Sequence, residues 1–426
     1  MEEGEIMPLL LPEEYRYPLP KLHRIRQKFP TEKLSQEDIP RTIHDAFARG
    51  EIREKMKPGA RIAIAVGSRG IQHLAMIVRA VIDECRMAGT NPFIVSAMGS
   101  HGEGTEQGQR AILASYGITE EALGVPVITK VETVELGRLP DGTHVYFDRA
   151  AYEADLIVPV NRVKLHTDFI GELQSGIAKM LVIGLGNQKG CTEIHGVPGN
   201  MFSHTLEAAA RLILAKAPVG FGVAILENAY DETAEIHVLP KETLIEQEKE
   251  LVRRSISYFP SLRFPSIDVL IMQEIGKDVS GAGFDPNIVG RSTAREEYLV
   301  PIPEIKRMVL LDVTAASHGN GIGIGLFDVV TKNILPKLDL AAMYANAIAC
   351  RCVEDARIPL QARDEDEAVR IALKLCRGVT PDAAKIVRIK NTLSLGEVEV
   401  SDVLLPVVDG DDRLERADDE PQTSRE

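Results

Sequence analysis

The chain has 426 residues, of which 44% are hydrophobic, and it carries a formal net charge of −14. This length favours two or three globular domains, and the acidic balance argues against binding to duplex nucleic acid, which requires a basic face. The acidic first residues and the lack of an apolar run of about 20 residues predict a cytoplasmic protein that does not associate with membranes.

Strand and helix patterns alternate through the first half of the sequence. Residues 1–40 are rich in Pro, Lys and Glu and predict an irregular lead-in. Short apolar runs then alternate with segments of helical spacing. The predicted strands are Arg61–Val66, Phe93–Ala97, Leu156–Val160 and Phe221–Leu226, and the predicted helices are 71–88, Glu106–Tyr116 and Gly171–Gly184. This alternation predicts an α/β fold with a mostly parallel sheet covered on both faces.

A second α/β unit is predicted after a charged helix and a proline-containing connection in residues 241–264. Its first strands are Ile267–Met272 and Arg307–Asp312. The glycine-rich segment that begins at His318 fits either a flat strand or a ligand cradle. The sequence therefore predicts two α/β domains and a polar, disordered tail, with the boundaries 1–260, 261–408 and 409–426.

Three polar side chains follow the ends of predicted strands. Arg69 lies in a glycine-flanked turn, His101 in a glycine-rich loop and His166 in the loop after the third strand. Because ligands of parallel sheets gather beyond the carboxyl ends of the strands, we group these residues. An arginine at the predicted helix N-terminus would bind a carboxylate or a phosphate, although a simple tight turn remains open. No histidine spacing matches a zinc signature.

The segment from Asn161 to His195 is the densest in reactive groups. Lys179 lies in an apolar run, where burial would lower the pKa of its amine and make the amine nucleophilic. Extension of this side chain to the surface is the alternative. Gly186 would allow close approach of the backbone to a ligand, and Lys189 could neutralise a phosphate. In the second unit, Lys277 follows a strand and could pair with a substrate carboxylate.

Through these residues the chain resembles the nickel-dependent lactate racemase family, most strongly between residues 60 and 200. The resemblance implies an isomerase, a racemase or epimerase that inverts C2 of a 2-hydroxy carboxylic acid by reversible hydride transfer. It also implies two α/β domains with the active site in the cleft between them. The implied cofactor is a nickel-pincer nucleotide, the nickel complex of pyridinium-3-thioamide-5-thiocarboxylic acid mononucleotide, covalently attached to a lysine.

The resemblance also implies roles for individual residues and partners for the chain. The expected partners are a small anionic hydroxy-acid substrate and the cofactor-biosynthesis proteins, and a homo-oligomer is possible. The implied roles are Lys179 as the tether, His195 as the metal ligand, His101 and His166 as the acid and base, Arg69, Gly186 and Lys189 at the cofactor, and Arg69 and Lys277 at the substrate.

The chain departs from the family pattern at three points that bear on its substrate. The interval from His166 to Lys179 is longer, Val66 stands where an acidic residue is expected, and the chain has no Trp. These departures leave a sugar-acid 2-epimerase, acting on an aldonate such as gluconate, as an alternative within the family. Outside the family, the alternatives are a metal-dependent hydrolase that uses the same histidines and a non-catalytic binder of a nucleotide or of the cofactor.

Overall fold

The computed structural model describes residues 9–197 and 199–417, and the chain divides into two compact units. One unit is Pro30–Phe259, and the other combines the segment that ends at Phe29 with the chain from Pro260 onward. The strands are β1 (Leu22–Gln27), β2 (Arg61–Val66), β3 (Asn91–Ser96), β4 (Val127–Ile128), β5 (Thr133–Arg138), β6 (His144–Asp148), β7 (Leu156–Arg162), β8 (Phe221–Glu227), β9 (Thr233–Pro240), β10 (Ser266–Ile275), β11 (Glu304–Val313), β12 (Val329–Thr331), β13 (Leu360–Ala362), β14 (Ile386–Ile389), β15 (Glu397–Ser401) and β16 (Leu414–Arg416).

Helices cover the sheets in both units. They are α1 (Asp38–Phe47), α2 (Gly50–Arg53), α3 (Leu74–Met87), α4 (Glu106–Ser115), α5 (Glu120–Leu123), α6 (Arg149–Tyr152), α7 (Ile177–Lys179), α8 (Asn187–His195), α9 (Gly199–Lys216), α10 (Leu244–Tyr258), α11 (Pro286–Val289), α12 (Leu340–Cys350), α13 (Glu365–Leu375) and α14 (Leu405–Gly410). In neither described range is a helix long and apolar enough to cross a membrane.

The Pro30–Phe259 unit contains a six-stranded sheet with the order β4-β3-β2-β7-β8-β9. Neighbouring strands are parallel except at the edge, where β9 runs antiparallel to β8. From β2 the chain first builds β3 and β4 on one side, and later β7 and β8 on the other. The strand order therefore reverses between β2 and β7, and ligands of open parallel sheets bind beyond the carboxyl ends of the strands at such a reversal.

The strand β2 shows why the sequence pattern identified this sheet. Every residue of β2 after Arg61 is buried, because a parallel sheet is covered by helices on both faces. Ile62, Ile64 and Val66 point to one face and pack in one core with residues of α1 and α3. The run is apolar from Ile62 to Val66, and its predicted ends coincide with those of the strand.

The other unit contains an eight-stranded sheet with the order β13-β12-β11-β10-β14-β15-β1-β16. The strands from β13 to β14 are parallel, whereas β15, β1 and β16 are antiparallel to their neighbours. A small antiparallel pair, β5 and β6, completes the strands of the described chain. The predicted class, an α/β protein with mostly parallel sheets, is confirmed.

Both ends of the chain differ from the predicted boundaries. Residues 1–260 were expected to form one domain, but β1 pairs with β15 and β16 and so belongs to the other unit. Only Ile25 among the first five residues of β1 is buried, so the apolar signal was too weak to predict a strand. Within the tail predicted at 409–426, Leu414–Arg416 forms β16 instead, and residues 418–426 lie outside the described chain. The segment after His318 is irregular, with Gly319 and Gly323 at positive φ, and is not a strand.

Candidate functional site

The loops after β2, β3 and β7 leave the same edge of the six-stranded sheet and carry Arg69, His101 and His166 respectively. Because β2 lies between β3 and β7, the two histidine loops flank the arginine loop. The helix α3 begins only at Leu74, so Arg69 lies in the preceding loop and not at a helix N-terminus as predicted. Removal from water lowers the pKa of Arg69, and the positive charge of Arg162 acts in the same direction, against the opposing effect of Asp168.

Lys179 ends the short helix α7, which continues as a π-helical turn from Met180 to Gly184. Single π-helical turns are rare and occur often at functional sites. The side chains of Ala178 and Met180 on either side are buried. This surrounding lowers the pKa of the Lys179 amine to about 8, mainly through burial, with Asp168 opposing the shift and Arg69 adding to it. A lysine with such a pKa has an appreciable neutral, nucleophilic fraction at neutral pH.

The loop from His166 to Lys179 is closed on itself by backbone pairing. Lys164 and Ser175 exchange two backbone hydrogen bonds of 3.0 and 3.2 Å, and the amide N–H of His166 donates to Oε1 of Gln174 at 2.7 Å. The residues that lengthen this interval are therefore accommodated within a closed loop. As a result, Nε2 of His166 lies 2.5 Å from Nζ of Lys179.

The hydrogen bonds of the His166 ring indicate the protonation state of this pair. The backbone N–H of Asp168 donates to Nδ1 of His166 at 3.0 Å, so a neutral ring carries its proton on Nε2. That proton points at Nζ of Lys179, which accepts it only if the amine has a lone pair. The arrangement therefore corresponds to the neutral form of Lys179, which the lowered pKa makes accessible near neutral pH.

His195 lies at the end of α8, and its ring is oriented by the preceding turn. Nδ1 of His195 donates to the carbonyl oxygen of Cys191 at 2.8 Å and is 3.4 Å from its Sγ. Because Nδ1 is used in this way, Nε2 is the ring nitrogen that a metal would bind. The side-chain hydrogen bond with the thiol of Cys191 raises the pKa of His195, against the effect of burial.

Two phenylalanine rings connect the imidazoles of His166 and His195. The ring of His166 is 4.3 Å from that of Phe169, which is 4.5 Å from that of Phe202, and Phe202 is 5.6 Å from His195. Both phenylalanines are buried. Such ring contacts restrict the orientation of both imidazoles, and sequence spacing gave no signal for them.

His101 is connected to the same group of residues through its own loop. Nδ1 of His101 is hydrogen-bonded to Oγ of Ser68, which precedes Arg69. The neighbouring Ser100 accepts a hydrogen bond from the thiol of Cys191 at 3.6 Å. The described part of the Pro30–Phe259 unit therefore brings its three predicted histidines, Lys179 and Arg69 to one sheet edge.

The predicted cofactor contacts of Gly186 and Lys189 have other partners in the structure. A Cβ on Gly186 would lie 2.5 Å from the carbonyl oxygen of Val182, so this glycine is required for packing within the helical segment. The ammonium of Lys189 lies 4.1 Å from the ring centroid of Tyr146, a cation–π contact. A role of either residue at a cofactor stays a prediction.

Lys277 lies in the other unit, directly after β10. Its ammonium donates to the carbonyl oxygen of Gly281 at 2.6 Å and to Oδ1 of Asn346 at 2.7 Å, and its backbone N–H donates to Ser317 at 2.8 Å. These bonds hold the amine in one position, and its role at a substrate stays a prediction. Across both described ranges, no group of three or more His, Cys, Asp or Glu side chains is arranged to hold a metal ion.

Sequence reasoning missed several residues of this site. Asp168 and Cys191 lie within the segment that was singled out, but their contacts depend on the turn geometry of the loop and of α8. Glu248 was missed because it lies on α10, far along the chain, although it accepts a hydrogen bond from the N–H of Ala178. A charged residue on the apolar face of a predicted helix was the one signal available for Glu248.

Comparison with known proteins places this site in a family context. Residues 14–206 match the model of the lactate racemase N-terminal domain. The fold is similar to the structure of the lactate racemase apoprotein from Thermoanaerobacterium thermosaccharolyticum, with a TM-score of 0.56 and 14% sequence identity, over 87% of this chain and 99% of that chain. No curated protein gives a match. The predicted resemblance to the lactate racemase family is confirmed.

Proposed function

From the match of residues 14–206 to the lactate racemase N-terminal domain, we propose that the protein is a racemase or epimerase that inverts C2 of a 2-hydroxy carboxylic acid. The proposed reaction is a reversible hydride transfer that depends on a nickel-pincer nucleotide attached to Lys179. The observation that carries the proposal is the partly buried amine of Lys179, whose hydrogen bond with His166 requires its neutral form. A neutral amine is the species that forms a covalent bond to an electrophilic carbon.

The residues of the site fit the proposed cofactor. Lys179 would hold it covalently, and Nε2 of His195 would bind the metal, since Nδ1 already donates to the Cys191 carbonyl. When bound, such a cofactor supplies a metal-activated pyridinium ring that accepts and returns a hydride. The nucleotide phosphate needs a cationic partner, and Lys189 is the candidate that the sequence suggested.

The strand order β3-β2-β7 supports a reaction in which the two faces of the substrate at C2 meet different histidines. The loops of His101 and His166 lie on opposite sides of the β2 loop that carries Arg69. A guanidinium in the middle position would orient the carboxylate of the substrate by a bidentate contact. One histidine would then take the proton of the substrate hydroxyl as C2 loses its hydride, and the other would return a proton when the opposite face is reduced.

Attachment at Lys179 would also change the role of His166. In the apo chain, Nε2 of His166 donates its proton to the lysine amine. A lysine nitrogen in an amide-type bond has no basic lone pair, so a tethered Lys179 could not accept this proton. Nε2 of His166 would then face a substrate hydroxyl, and it would accept the hydroxyl proton once the ring proton is carried on Nδ1 and the Asp168 N–H no longer donates there. Lys277, held by Gly281 and Asn346, is the proposed second cation for the carboxylate.

The proposal is tested with the protein co-expressed with cofactor-biosynthesis enzymes and incubated with C2-deuterated D- and L-hydroxy acids. We expect inversion at C2 with deuterium retained in the product. Washout of the deuterium into solvent would contradict hydride transfer. A panel that contains lactate and aldonates separates a lactate racemase from a sugar-acid epimerase, and turnover of no hydroxy acid by nickel-loaded protein would contradict the proposal.

A further inference from the structure

Glu248 is a buried carboxyl group at the base of the lysine-bearing helix. It lies on α10, its residue exposure is 0%, and Oε2 accepts the N–H of Ala178 at 2.9 Å. The N–H of Ile177 also donates to this carboxyl group. The first amides of a helix have no partner within the helix, so Glu248 supplies acceptors for two of them from a different element.

The residue before this helix is shaped around the same carboxyl group. A Cβ on Gly176 would lie 2.1 Å from Oε1 of Glu248, so any other side chain would displace the carboxyl group. The carbonyl oxygen of Gly176 accepts both the N–H of Met180 at 3.0 Å and the side-chain amide of Asn161 at 2.8 Å. Asn161 lies in β7. The turn that precedes Lys179 is therefore fixed to the sheet on one side and to α10 on the other.

The arrangement has an energetic cost that packing alone does not explain. Burial raises the pKa of Glu248 to about 8, against the effect of the two amide hydrogen bonds. Its Oε1 is buried and has no hydrogen-bond partner in the described structure, and an unpaired buried polar atom destabilises the fold. An apolar side chain at this place would avoid the cost but would leave the two amides without acceptors.

We infer that Glu248 is a positioning residue for Lys179: it holds the first turn of α7 so that the amine stays next to His166 and away from water. The inference rests on the proposed role of Lys179 as the reactive amine. Loss of the carboxyl group would allow this turn to fray and water to reach Nζ. The amine would then behave more like an ordinary lysine, whose pKa is 10.5.

Competitive acetylation of the full-length apo protein with acetic anhydride between pH 6 and 11 measures this effect directly. Modification of the Lys179 peptide is quantified by mass spectrometry, with the surface residue Lys332 as internal reference. In the parent protein we expect a midpoint near 8. Glu248→Ala should raise the midpoint by about one pH unit or more, whereas Glu248→Gln, whose amide oxygen can still accept the Ala178 N–H, should keep it. Glu250→Gln on the exposed face of the same helix is the matched control.

A folded Glu248→Ala protein with the parent midpoint would overturn the inference, as would an equal rise in Glu248→Gln. If Glu248→Ala does not fold, Glu248→Asp carries the test, because its shorter side chain cannot reach the amides from the same backbone position, and it should raise the midpoint too. The readout requires no cofactor. The two tests are therefore independent. The absence of a cofactor adduct on Lys179 would refute the proposed function, but it would not affect the acetylation midpoints of the apo protein.

Discussion

Nε2 of His166 lies 2.5 Å from Nζ of Lys179, and the opposite ring nitrogen of His166 accepts the backbone N–H of Asp168. This pairing fixes which atom carries the proton and makes the lysine the acceptor. In ordinary surface lysines the amine is a donor in every contact. The two residues therefore form a unit in which the histidine is oriented by the backbone and the lysine loses its proton more readily than an ordinary lysine.

Replacement of Lys179 by Met should stabilise the fold while removing the reactive amine. The pKa of Lys179 is lowered from 10.5 to about 8, so the unfolded chain binds more protons between these values, and the parent gains stability as pH rises through that window. Below pH 8 the amine is protonated in the folded chain, and the full cost of burying its charge lowers the stability of the parent. We expect the variant to gain about 1–3 kcal/mol in the free energy of unfolding at pH 7.

Urea unfolding at pH 7 and at pH 10.5 checks this expectation, with Lys332→Met on the surface as the control. The gain of the Lys179 variant should shrink at the higher pH. A gain of the same size at both pH values would mean that the methionine packs better, and that the surroundings of Lys179 do not lower the pKa of its amine.

Replacement of either proposed acid–base histidine should lower turnover without unfolding the protein. Proton transfer by a positioned side chain contributes about 10²–10⁴-fold to a rate, so kcat of His101→Asn and of His166→Asn should fall by that range. Ser68→Ala removes one hydrogen-bond partner of His101 but leaves the imidazole in place, so it should have a smaller effect. His23→Asn, in the other unit and paired with Asp402, is the control, and turnover by His101→Asn at the parent rate would remove His101 from the mechanism.

Replacement of His195 by Ala should separate metal binding from covalent attachment. Loss of an outer contact of a metal ligand costs about 10–100-fold in affinity, and loss of the ligand itself should cost at least as much. The organic adduct on Lys179 should remain, because His195 does not form it. Elemental analysis measures the nickel bound per chain, and the intact mass of the same sample shows whether the adduct is present. His204→Ala on α9 is the matched control, and parent nickel content in His195→Ala would exclude it as the ligand.

Replacement of Gly184 by Ala tests how the lysine helix is held against the His101 loop. A Cβ on Gly184 would lie 2.6 Å from the carbonyl oxygen of Ala97, and the carbonyl oxygen of Gly184 accepts the N–H of Gly99 at 3.0 Å. Overpacking of this kind costs about 1–3 kcal/mol. Thermal unfolding should show that loss, whereas Gly410→Ala, where a Cβ meets nothing within 4 Å, should not. Equal stability of both variants would show that the two segments move apart freely.

The parts of the fold that could be predicted are those with a strong local signal. The strand at Arg61–Val66 was predicted with its observed ends, because an apolar run bounded by polar and glycine residues marks a strand buried on both faces. The strand β1 was missed since only Leu22 and Ile25 of its six residues are apolar, and they do not alternate with the polar ones. The predicted helix Gly171–Gly184 begins only at Ile177, because Ser175, just before it, pairs with Lys164 in the closed loop.

The sequence was sufficient to predict which residues form the candidate site, but not the contacts between their side chains. The parallel sheet itself explains why residues after β2, β3 and β7 meet at one edge. The contact of Lys179 with His166 depends on the loop closed between Lys164 and Ser175, which no periodicity encodes. Glu248 reaches the lysine helix across 70 residues of sequence, and such pairings become visible only in the folded chain.

The most direct test of the account is the intact mass of the chain co-expressed with the cofactor-making enzymes, followed by peptide mapping. We predict a single adduct on Lys179, with about one nickel per chain, as expected for one metal held at a site with an open position. An adduct on a different lysine, or a nickel-loaded chain with an unmodified Lys179, would contradict it.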